Sequence, residues 1–247
     1  MTSTEQSLGG RIALVTGATS GIGRATAIQL ARQGAEVIVH GRDADRGEQV
    51  VAEIAREGGK ARFIAADLSD PTEIRRLADE AGEGGEVGVL VNNAGFSWFG
   101  PTADLDVATY DALFDANVRA PYFLVAALAP RMAANGGGSI VNVASMAGTI
   151  GLAGGAAYGG TKATLTAMTR AWAAEFSPSG VRVNAVAPGP VYTATDPERI
   201  EALGATTLLG RAAHADEIAQ VITFLASPAA GYLTGTTVAA DGGRTAI

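Results

Sequence analysis

Short apolar runs alternate with longer segments of helical periodicity along the whole chain. The apolar runs predict buried strands at 12–16, 36–40, 61–66, 87–91, 139–143 and 181–186, with a shorter strand near 236–239. Between them, alanine-rich stretches predict helices at 22–33, 45–57, 71–81, 108–133, 156–177 and 216–226. Continuous apolar strands separated by helices indicate a parallel sheet with helices on both faces. The sequence therefore predicts the doubly wound α/β architecture, in one domain that spans residues 1–247.

The segment that follows the sixth predicted strand has no clear strand pattern up to Gly210. Ligands of a doubly wound sheet bind beyond the carboxyl ends of its strands, so loops in this position are where chemistry is expected. Long loops in compact domains usually have a function. Residues 190–210 are therefore expected to form a substrate lid, and an extra surface helix is the alternative.

The composition indicates a globular protein and disfavours charged macromolecular partners. Of the 247 residues, 47% are hydrophobic and 17% charged, and the net charge is −7. A negative chain without a cluster of Lys and Arg argues against nucleic acid and anionic membranes as partners. The longest apolar run, near 123–130, is far shorter than the ~18–20 residues of a membrane span, and the first residues are polar. A cytoplasmic protein is expected.

The scarcity of three residue types limits the possible chemistry. The chain has no Cys and only two His, His40 and His214, so a thiol nucleophile or a metal site is not expected. Only two of its 18 cations are lysines, Lys60 and Lys162. In a chain that otherwise uses arginine, a lysine can mark a position where arginine is no substitute.

A glycine-rich turn lies between the first predicted strand and the first predicted helix. Its glycines, Gly17, Gly21 and Gly23, have the spacing G-x-x-x-G-x-G. Glycine lets a backbone turn tightly and approach a pyrophosphate, whose charge is met by the free amides at the helix N-terminus. This position between strand and helix predicts a nucleotide site.

The spacing of this turn resembles that of the short-chain dehydrogenase/reductase family. The rest of the family's pattern follows in order, with Asp67-Leu68 after the third strand, Asn92-Asn93-Ala94-Gly95 after the fourth and Pro188-Gly189 with Thr193 after the sixth. The resemblance implies a single-domain Rossmann-type fold that binds a nicotinamide dinucleotide. The residues that it assigns to the cofactor, besides the two active-site residues named below, are Gly17, Ser20, Gly21, Ile22, Gly23, Asp67, Leu68, Asn93, Ala94, Gly95, Pro188, Gly189, Val191 and Thr193.

The end of the second strand decides between the two nicotinamide dinucleotides. An acidic side chain there would accept a hydrogen bond from the ribose 2′-hydroxyl of NAD and repel a 2′-phosphate. Here the strand ends in His40-Gly41-Arg42, so Gly41 takes the place of the acid. A guanidinium suits phosphate oxygens, so Arg42 predicts a preference for NADP(H) over NAD(H), with His40 or Ser20 as helpers. The alternative is a solvated Arg42, with Asp43 next to it weakening the preference.

Tyr158 and Lys162 are four residues apart in the helix after the fifth strand, and therefore share one face of it. Ser145 lies at the end of that strand, and Asn117 in the preceding helix. The resemblance implies that these four form the catalytic set, with Tyr158 and Lys162 also contacting the cofactor. A free tyrosine has a pKa of about 10, so a neighbouring ammonium would be needed to make Tyr158 an effective acid or base. Ser145 would polarise the substrate carbonyl, and Asn117 would position a water in a proton relay.

The implied activity is an NAD(P)(H)-dependent interconversion of a carbonyl compound and a secondary alcohol. Aromatic and apolar residues near the active site suggest a small, uncharged or partly apolar substrate. A hydroxysteroid, sugar or polyol remains open. The substrate pocket is expected to be lined by Phe96, Ser97 and Trp98, by residues 146–153 and by residues 192–209. The residues expected to bind the substrate are Phe96, Trp98, Ser145, Met146, Tyr158 and Tyr192.

Two other functions are alternatives to this one. Reductases of 3-oxoacyl-acyl-carrier protein resemble this chain, but their basic carrier-docking positions correspond here to Gly136 and Ser179. Because the chain is also negative, we rank this function lower. A nucleotide-binding regulator that has lost its chemistry is disfavoured because Tyr158 and Lys162 are both kept.

The predicted helix over 163–177 is apolar around much of its circumference, with Leu165, Met168, Trp172 and Phe176 among many alanines. Such a helix should be covered on two sides. Since members of the family commonly assemble through this helix and the C-terminal segment, a homotetramer is expected. His214 is expected at the surface or in an interface.

Overall fold

The fold is seen in a computed structural model that describes residues 7–193 and 197–247. Within these residues seven parallel strands form one sheet in the order β3-β2-β1-β4-β5-β6-β9, and β7 pairs with β8 in a separate two-stranded sheet. The strands are β1 Ile12–Val15, β2 Glu36–Gly41, β3 Lys60–Ala65, β4 Val87–Asn92, β5 Gly138–Val143, β6 Val181–Pro188, β7 Val191–Tyr192, β8 Ala213–His214 and β9 Thr237–Ala240.

The helices begin where the polar pattern of the chain supplies caps. Asp43, Asp70 and Asp106 each accept a hydrogen bond from a backbone amide in the first turn of the helix that follows, which satisfies a donor with no partner in the helix. The helices are α1 Gly21–Arg32, α2 Ala44–Arg56, α3 Pro71–Ala81, α4 Val107–Phe114, α5 Ala120–Ala134, α6 Ala156–Phe176, α7 Pro197–Gly204 and α8 Ala215–Ala226.

Alternate residues of the strands pack against two layers of helices. On β1, Ala13 and Val15 belong to the core formed with α1, α2 and α8, whereas Ile12 and Leu14 belong to the core formed with α3, α5 and α6. Side chains of a strand point to opposite faces in turn, so a strand that is apolar throughout must be covered twice. The predicted doubly wound α/β fold is confirmed.

The strand order reverses between β1 and β4. After β3 the chain returns past β1, and β4 pairs with β1 on the side opposite β2. At such a reversal the connections leave in opposite directions and open a crevice beyond the carboxyl ends of the two strands. The glycine-rich turn after β1 and the Asn93–Gly95 turn after β4 both lie at this crevice.

The structure differs from the predicted pattern in two places. The predicted helix over 108–133 is interrupted by one π-helical turn, Asp115–Arg119, between α4 and α5. In the segment 190–210, the structure has the short strand β7 and then the helix α7, so an additional helix is present there. Residues 194–196 of this segment lie outside the described residues.

The helical stretch Val107–Ala134 is the one candidate for a membrane span among the described residues, by length and apolar composition alone. Its buried residues, including Leu124, Leu128 and Met132, pack in the core between α3 and the sheet. A helix that covers one face of a parallel sheet has this composition because its inner side is apolar. The packing makes it a core helix of this fold.

Candidate active site

A groove of about 720 Å³ runs across the carboxyl ends of the central strands and brings together most of the predicted cofactor residues. A second cavity adjoins it, and the two share Ile22, Asn93, Gly95, Phe96 and Thr193. Of the predicted cofactor residues, Tyr158, Lys162, Pro188, Gly189 and Val191 line the second cavity instead. The groove is lined by Gly17, Ser20, Gly21, Ile22, Gly23, His40, Gly41, Arg42, Asp67, Leu68, Asn93, Ala94, Gly95 and Thr193, among others.

The glycine-rich turn packs directly on the end of β4. The side-chain amide of Asn93 donates to the carbonyl oxygens of Thr16, at 2.8 Å, and of Gly17, at 3.1 Å. Gly17 has a φ of +63°, and a Cβ there would lie 2.9 Å from the Cα of Ala94. A Cβ on Gly23 would overlap the carbonyl oxygen of Gly17. These two positions therefore require glycine for the turn to close.

The N-terminus of α1 is capped differently from those of α2, α3 and α4. Ser20, at its N-cap, makes no side-chain capping hydrogen bond, and the first turn has no acidic residue. The neighbouring helices α2, α3 and α4 are each capped by an aspartate. The amides of α1 thus face the groove without a protein carboxylate, which is the arrangement that binds an anion.

The end of β2 presents a cation and leaves no space for an acid. A Cβ on Gly41 would lie 2.5 Å from the Cγ2 of Thr19, so an acidic side chain would displace that threonine. Arg42 is exposed on the rim of the groove, whereas its neighbour Arg46 forms an ion pair with Asp43 at 2.7 Å. The rim is therefore positive where an acid would favour the ribose 2′-hydroxyl of NAD.

Ser145 and Tyr158 face each other across the start of the second cavity. Ser145 directly follows β5, and its hydroxyl accepts from the amide of Ala147 at 3.2 Å. Tyr158 lies in the first turn of α6. Burial raises the pKa of its phenol, and a hydrogen bond with Ser145 partly opposes that rise. A phenol so buried gives up its proton at neutral pH only when a cation stabilises the phenolate.

Lys162 is buried beside Tyr158. Its ammonium donates to the carbonyl oxygen of Val143 at 2.8 Å, and its Nζ lies 5.8 Å from the centroid of the Tyr158 ring. Burial lowers the pKa of Lys162 to about 8, and none of the described residues forms a salt bridge with it. Lys60, the other lysine, is exposed. The structure thus places a compact cation beside the buried phenol of Tyr158.

Asn117 lies in the π-helical turn and connects the loop after β4 to α6. Its amide oxygen accepts from the amide of Phe96 at 3.1 Å, and its amide nitrogen donates to the carbonyl of Phe96 at 2.9 Å and the hydroxyl of Thr161 at 3.1 Å. The Thr161 hydroxyl in turn donates to the carbonyl of Tyr158 at 2.7 Å. Asn117 therefore holds the loop and the tyrosine turn in one register. A π-helical turn is frequent at functional sites.

The second cavity has a volume of about 460 Å³ and mostly apolar walls. Four of the residues predicted for the substrate line it: Phe96, Ser145, Met146 and Tyr158. Phe99, which was not predicted for the pocket, also lines it, and so do four residues of the predicted pocket ranges: Leu152, Arg199, Ile200 and Leu203. The last three belong to α7 and bring the predicted lid segment to the wall of the cavity.

Known proteins with similar sequences and structures belong to one family of dehydrogenases and reductases. A family model described as enoyl-(acyl carrier protein) reductase matches residues 17–245. The chain belongs to the short-chain dehydrogenase/reductase family. Cyclopentanol dehydrogenase from Comamonas sp. is 36% identical over 243 residues, which cover 96% of this chain and 97% of that protein.

Two further proteins similar to this short-chain dehydrogenase/reductase carry names that refer to other substrates. A 3-oxoacyl-acyl-carrier-protein reductase from Thermotoga maritima is 35% identical over 241 residues, or 96% of this chain and 98% of that protein. A solved structure from Beutenbergia cavernae, assigned as an NAD(P)-dependent gluconate 5-dehydrogenase with NADP bound at low occupancy, is 40% identical. Its TM-score is 0.93, and the match covers 98% of this chain and 100% of that one.

Two residues predicted to bind the substrate of this short-chain dehydrogenase/reductase lie elsewhere. Trp98 is not part of the described cavity wall, and its indole packs next to Gly100, where a Cβ would lie 2.8 Å from the ring. The Tyr192 ring lies 5.3 Å from the ring of His214, between β7 and β8. The aromatic residues in the loop after β4 indicate that this loop forms a wall of the cavity. Only the folded backbone shows that Phe99 rather than Trp98 faces the cavity.

His40 borders the groove, but the backbone occupies both of its ring nitrogens. Its Nδ1 accepts from the amide of Gly17 and its Nε2 donates to the carbonyl of Ala66, both at 3.2 Å. This arrangement needs a neutral ring. Burial is the main cause that lowers the pKa of His40 to about 4, and the hydrogen bond to the Ala66 carbonyl opposes it most. His40 therefore ties the glycine-rich turn to the end of β3, and its ring nitrogens are not free to help Arg42.

We expect His40 to make the fold less stable as the pH falls from about 6.5 to 4. In this range the unfolded chain binds a proton on His40 that the folded protein excludes, which costs up to about 3 kcal/mol of unfolding free energy. Above pH 7, His40 does not lower the unfolding free energy. Urea unfolding at several pH values measures it.

The His40→Gln variant should lack this part of the pH dependence, whereas His214→Gln, changed at an exposed histidine, should keep it. Equal pH profiles for the wild type and His40→Gln would contradict the assignment.

Proposed function

We propose that this protein is an NADPH-preferring dehydrogenase/reductase that interconverts a carbonyl compound and a secondary alcohol, with Tyr158 as the acid/base. The observation that carries the proposal is the position of Ser145, Tyr158 and Lys162 in the mostly apolar cavity that adjoins a dinucleotide-sized groove. When bound, the dinucleotide supplies or accepts the hydride. A small carbonyl compound in the cavity would have its oxygen beside the hydroxyls of Ser145 and Tyr158.

The residues of the groove fit a dinucleotide. The glycine-rich turn and the uncapped amides of α1 suit a pyrophosphate, since both let backbone donors approach an anion. Asp67, whose pKa is held low by hydrogen bonds from Ser69, offers a carboxylate acceptor farther along the groove. Pro188, Gly189 and Thr193 line the wall where the nicotinamide end would lie.

Four side chains would take part in the proton transfer. In the reduction, Tyr158 would donate its proton to the oxygen of the new alcohol while Ser145 donates a hydrogen bond to the same atom. Lys162 would stabilise the resulting phenolate, because an ammonium at this range favours the charged form of a buried phenol. Asn117 would keep Phe96 and Tyr158 in place and contribute to the proton relay. In the oxidation the same groups act in reverse.

The relatives support an alcohol or ketone substrate. Cyclopentanol dehydrogenase acts on a small cyclic alcohol, and the cavity of about 460 Å³ suits a molecule of that class. The Thermotoga maritima relative favours a carrier-bound oxoacyl group as a second candidate. The loops before β5 and β6 carry Gly136 and Ser179, and the chain is negative, so an acidic carrier would find little attraction here. We therefore rank a free small molecule first.

The proposed preference for NADP(H) rests on Arg42 and Gly41. The exposed guanidinium at the rim can bind a 2′-phosphate, and Gly41 leaves no carboxylate to repel it. The NADP in the Beutenbergia cavernae structure adds support. We also propose that the 190–210 segment covers the bound substrate, since α7 forms part of the cavity wall.

We further propose that the chain assembles as a homotetramer. Tyr110, Tyr122 and Phe123 on the α4 to α5 stretch are each at least 40% exposed. Tyr122 also lies against Trp172 of α6, with ring centroids 6.1 Å apart. Adjacent exposed aromatic residues on two helices are typical of a surface that a second copy covers.

The Tyr158→Phe variant should lose turnover and keep its affinity for NADPH, because the phenol is removed while the ring stays. The reduction of cyclopentanone and related ketones, followed by NADPH oxidation, measures turnover, and fluorescence titration measures cofactor affinity. Tyr232→Phe, changed at a fully exposed tyrosine, should behave as the wild type. Turnover above about a tenth of the wild type, a barrier change under ~1.4 kcal/mol, would remove Tyr158 from this role.

The Arg42→Gln variant should lower kcat/KM for NADPH by about tenfold or more and leave that for NADH nearly unchanged. The reason is the loss of a charge-assisted hydrogen bond to the 2′-phosphate, worth about 1.5–3 kcal/mol. Arg56→Gln, changed at an exposed arginine of α2 away from the groove, serves as the control. Equal efficiency of the wild type with NADH and NADPH would refute the preference.

Light scattering should give a mass of about four times the 24.9 kDa of one chain. The Tyr122→Glu variant should lower that mass, because a carboxylate in an apolar interface is left without a partner. A wild type that stays monomeric at micromolar concentration would contradict the proposed assembly.

A further inference from the structure

The loop after β3 forms one end of the groove, which we call the β3 end. Asp67, Leu68 and Ser69 of this loop line the groove, together with Ala112 of α4 and Ala116 of the π-helical turn. Leu68 is buried in the core formed with α3, α5 and α6, whereas Asp67 and Ser69 are exposed. An exposed loop keeps one conformation only where hydrogen bonds hold it.

Local hydrogen bonds shape this loop into a turn. The Oδ1 of Asp67 accepts from the amide of Ser69 at 3.0 Å and from its hydroxyl at 2.9 Å. The amide of Asp70 donates to the carbonyl oxygen of Asp67, also at 3.0 Å. These bonds orient the Asp67 carboxylate relative to Ser69. They do not fix the turn relative to the rest of the groove, because all of them join neighbouring residues.

Arg119 connects this turn to the helix on the other side of the β3 end. Its guanidinium donates to the carbonyl oxygen of Ser69 at 2.5 Å and forms an ion pair with Asp115 at 2.6 Å. Asp115 lies four residues earlier on the same helical stretch, so the ion pair orients the guanidinium toward the turn. Arg119 is not one of the described residues that line the groove. It therefore acts on the groove through Ser69.

The π-helical turn supports both ends of the site. Its Asn117 bonds Phe96 and Thr161 on the side of the cavity, and its Arg119 bonds Ser69 on the side of β3. Residues two apart on a helix face in different directions, so one turn can hold two separate loops. Asn117 serves the catalytic end of the groove, and Arg119 serves the β3 end.

We propose that Arg119 is a positioning residue for the adenosine half of the dinucleotide, which it serves by holding the turn 67–69 through the carbonyl of Ser69. The inference rests on the proposed function, because that function brings a dinucleotide into the groove. With the nicotinamide beside Tyr158 and the pyrophosphate at the N-terminus of α1, the β3 end is left for the adenosine. The exposed Asp67 carboxylate and Leu68 are the groups that the turn presents there.

The Arg119→Met variant removes the guanidinium and keeps an unbranched apolar stem. It should weaken the binding of ADP, the part that NAD and NADP share, about fivefold or more and leave that of nicotinamide mononucleotide unchanged. Calorimetry measures both affinities. In turnover, KM for NADPH should rise while kcat is nearly kept, because the reacting groups are untouched. Arg119→Lys should recover part of the ADP affinity, since an ammonium can still donate to the Ser69 carbonyl.

Arg131→Met is the matched control. Arg131, on α5, also reaches a neighbouring element, where it donates to the carbonyl of Ala78 at 3.3 Å and pairs with Asp79 at 2.5 Å. Its side chain is 41% exposed, against 35% for Arg119, and both contacts lie on α3 away from the groove. The control should therefore bind ADP as the wild type does. If Arg119→Met does not fold, Arg119→Lys and Arg131→Lys give the same comparison.

The outcomes separate this inference from the proposed reaction. If Arg119→Met binds ADP as the wild type does, or if Arg131→Met weakens ADP binding equally, the positioning role is refuted. If Arg119→Met alone weakens ADP binding but the wild type reduces no ketone, the proposed reaction fails and the positioning role stands. A wild type that does not bind ADP contradicts both.

Discussion

The packing of the glycine-rich turn against the end of β4 is the contact on which the whole site depends. The Asn93 side chain bonds the carbonyls of Thr16 and Gly17, and this contact is possible only because Gly17 and Gly23 lack a Cβ. It holds the N-terminus of α1 open toward the groove. The same turn after β4 continues into the loop that Asn117 fixes through Phe96. One close approach of two backbones thus places the groove and the cavity side by side.

Around this contact, the protein concentrates positive charge within an acidic chain. Arg42 lies at the rim of the groove, Lys162 is buried near its junction with the cavity, and Arg199 lies in the wall of the cavity. Each has a different physical state: one is exposed, one is buried without a carboxylate, and one rests on an aromatic ring. The groove also contains Asp43 and Asp67, so these cations offer an anionic ligand local contacts within a negative molecule.

The burial of Lys162 explains why arginine is not used there. The position admits one compact ammonium, which the carbonyl of Val143 satisfies in part, and Gly148 packs against the lysine backbone. Burial lowers the pKa of Lys162 to about 8, so it still carries its charge for most of the time at neutral pH. Arginine would bring a wider planar group with five donors into the same space.

Much of the fold could be predicted from periodicity. The strands and the order in which they alternate with helices followed from local hydrophobic patterns, since the central strands are buried on both faces. The π-helical turn at Asn117 could not be predicted, because its apolar pattern differs little from that of the α-helix around it. The role of His40 could not be predicted from the sequence either. Its sequence position beside Arg42 suggested a phosphate contact, but its ring turns inward to Gly17 and Ala66.

The sequence by itself determined the doubly wound fold, the glycine-rich turn and the identity of the Ser145, Tyr158 and Lys162 set. These depend on residue types at short spacing, which local conformation and a family resemblance reveal. Only the tertiary structure decided that Phe99 faces the cavity while Trp98 and Tyr192 do not, and which residues of the predicted 192–209 range reach the cavity wall. The physical reason is that these choices depend on how α7 and the loop after β4 pack against elements far away in the chain, which no local pattern contains.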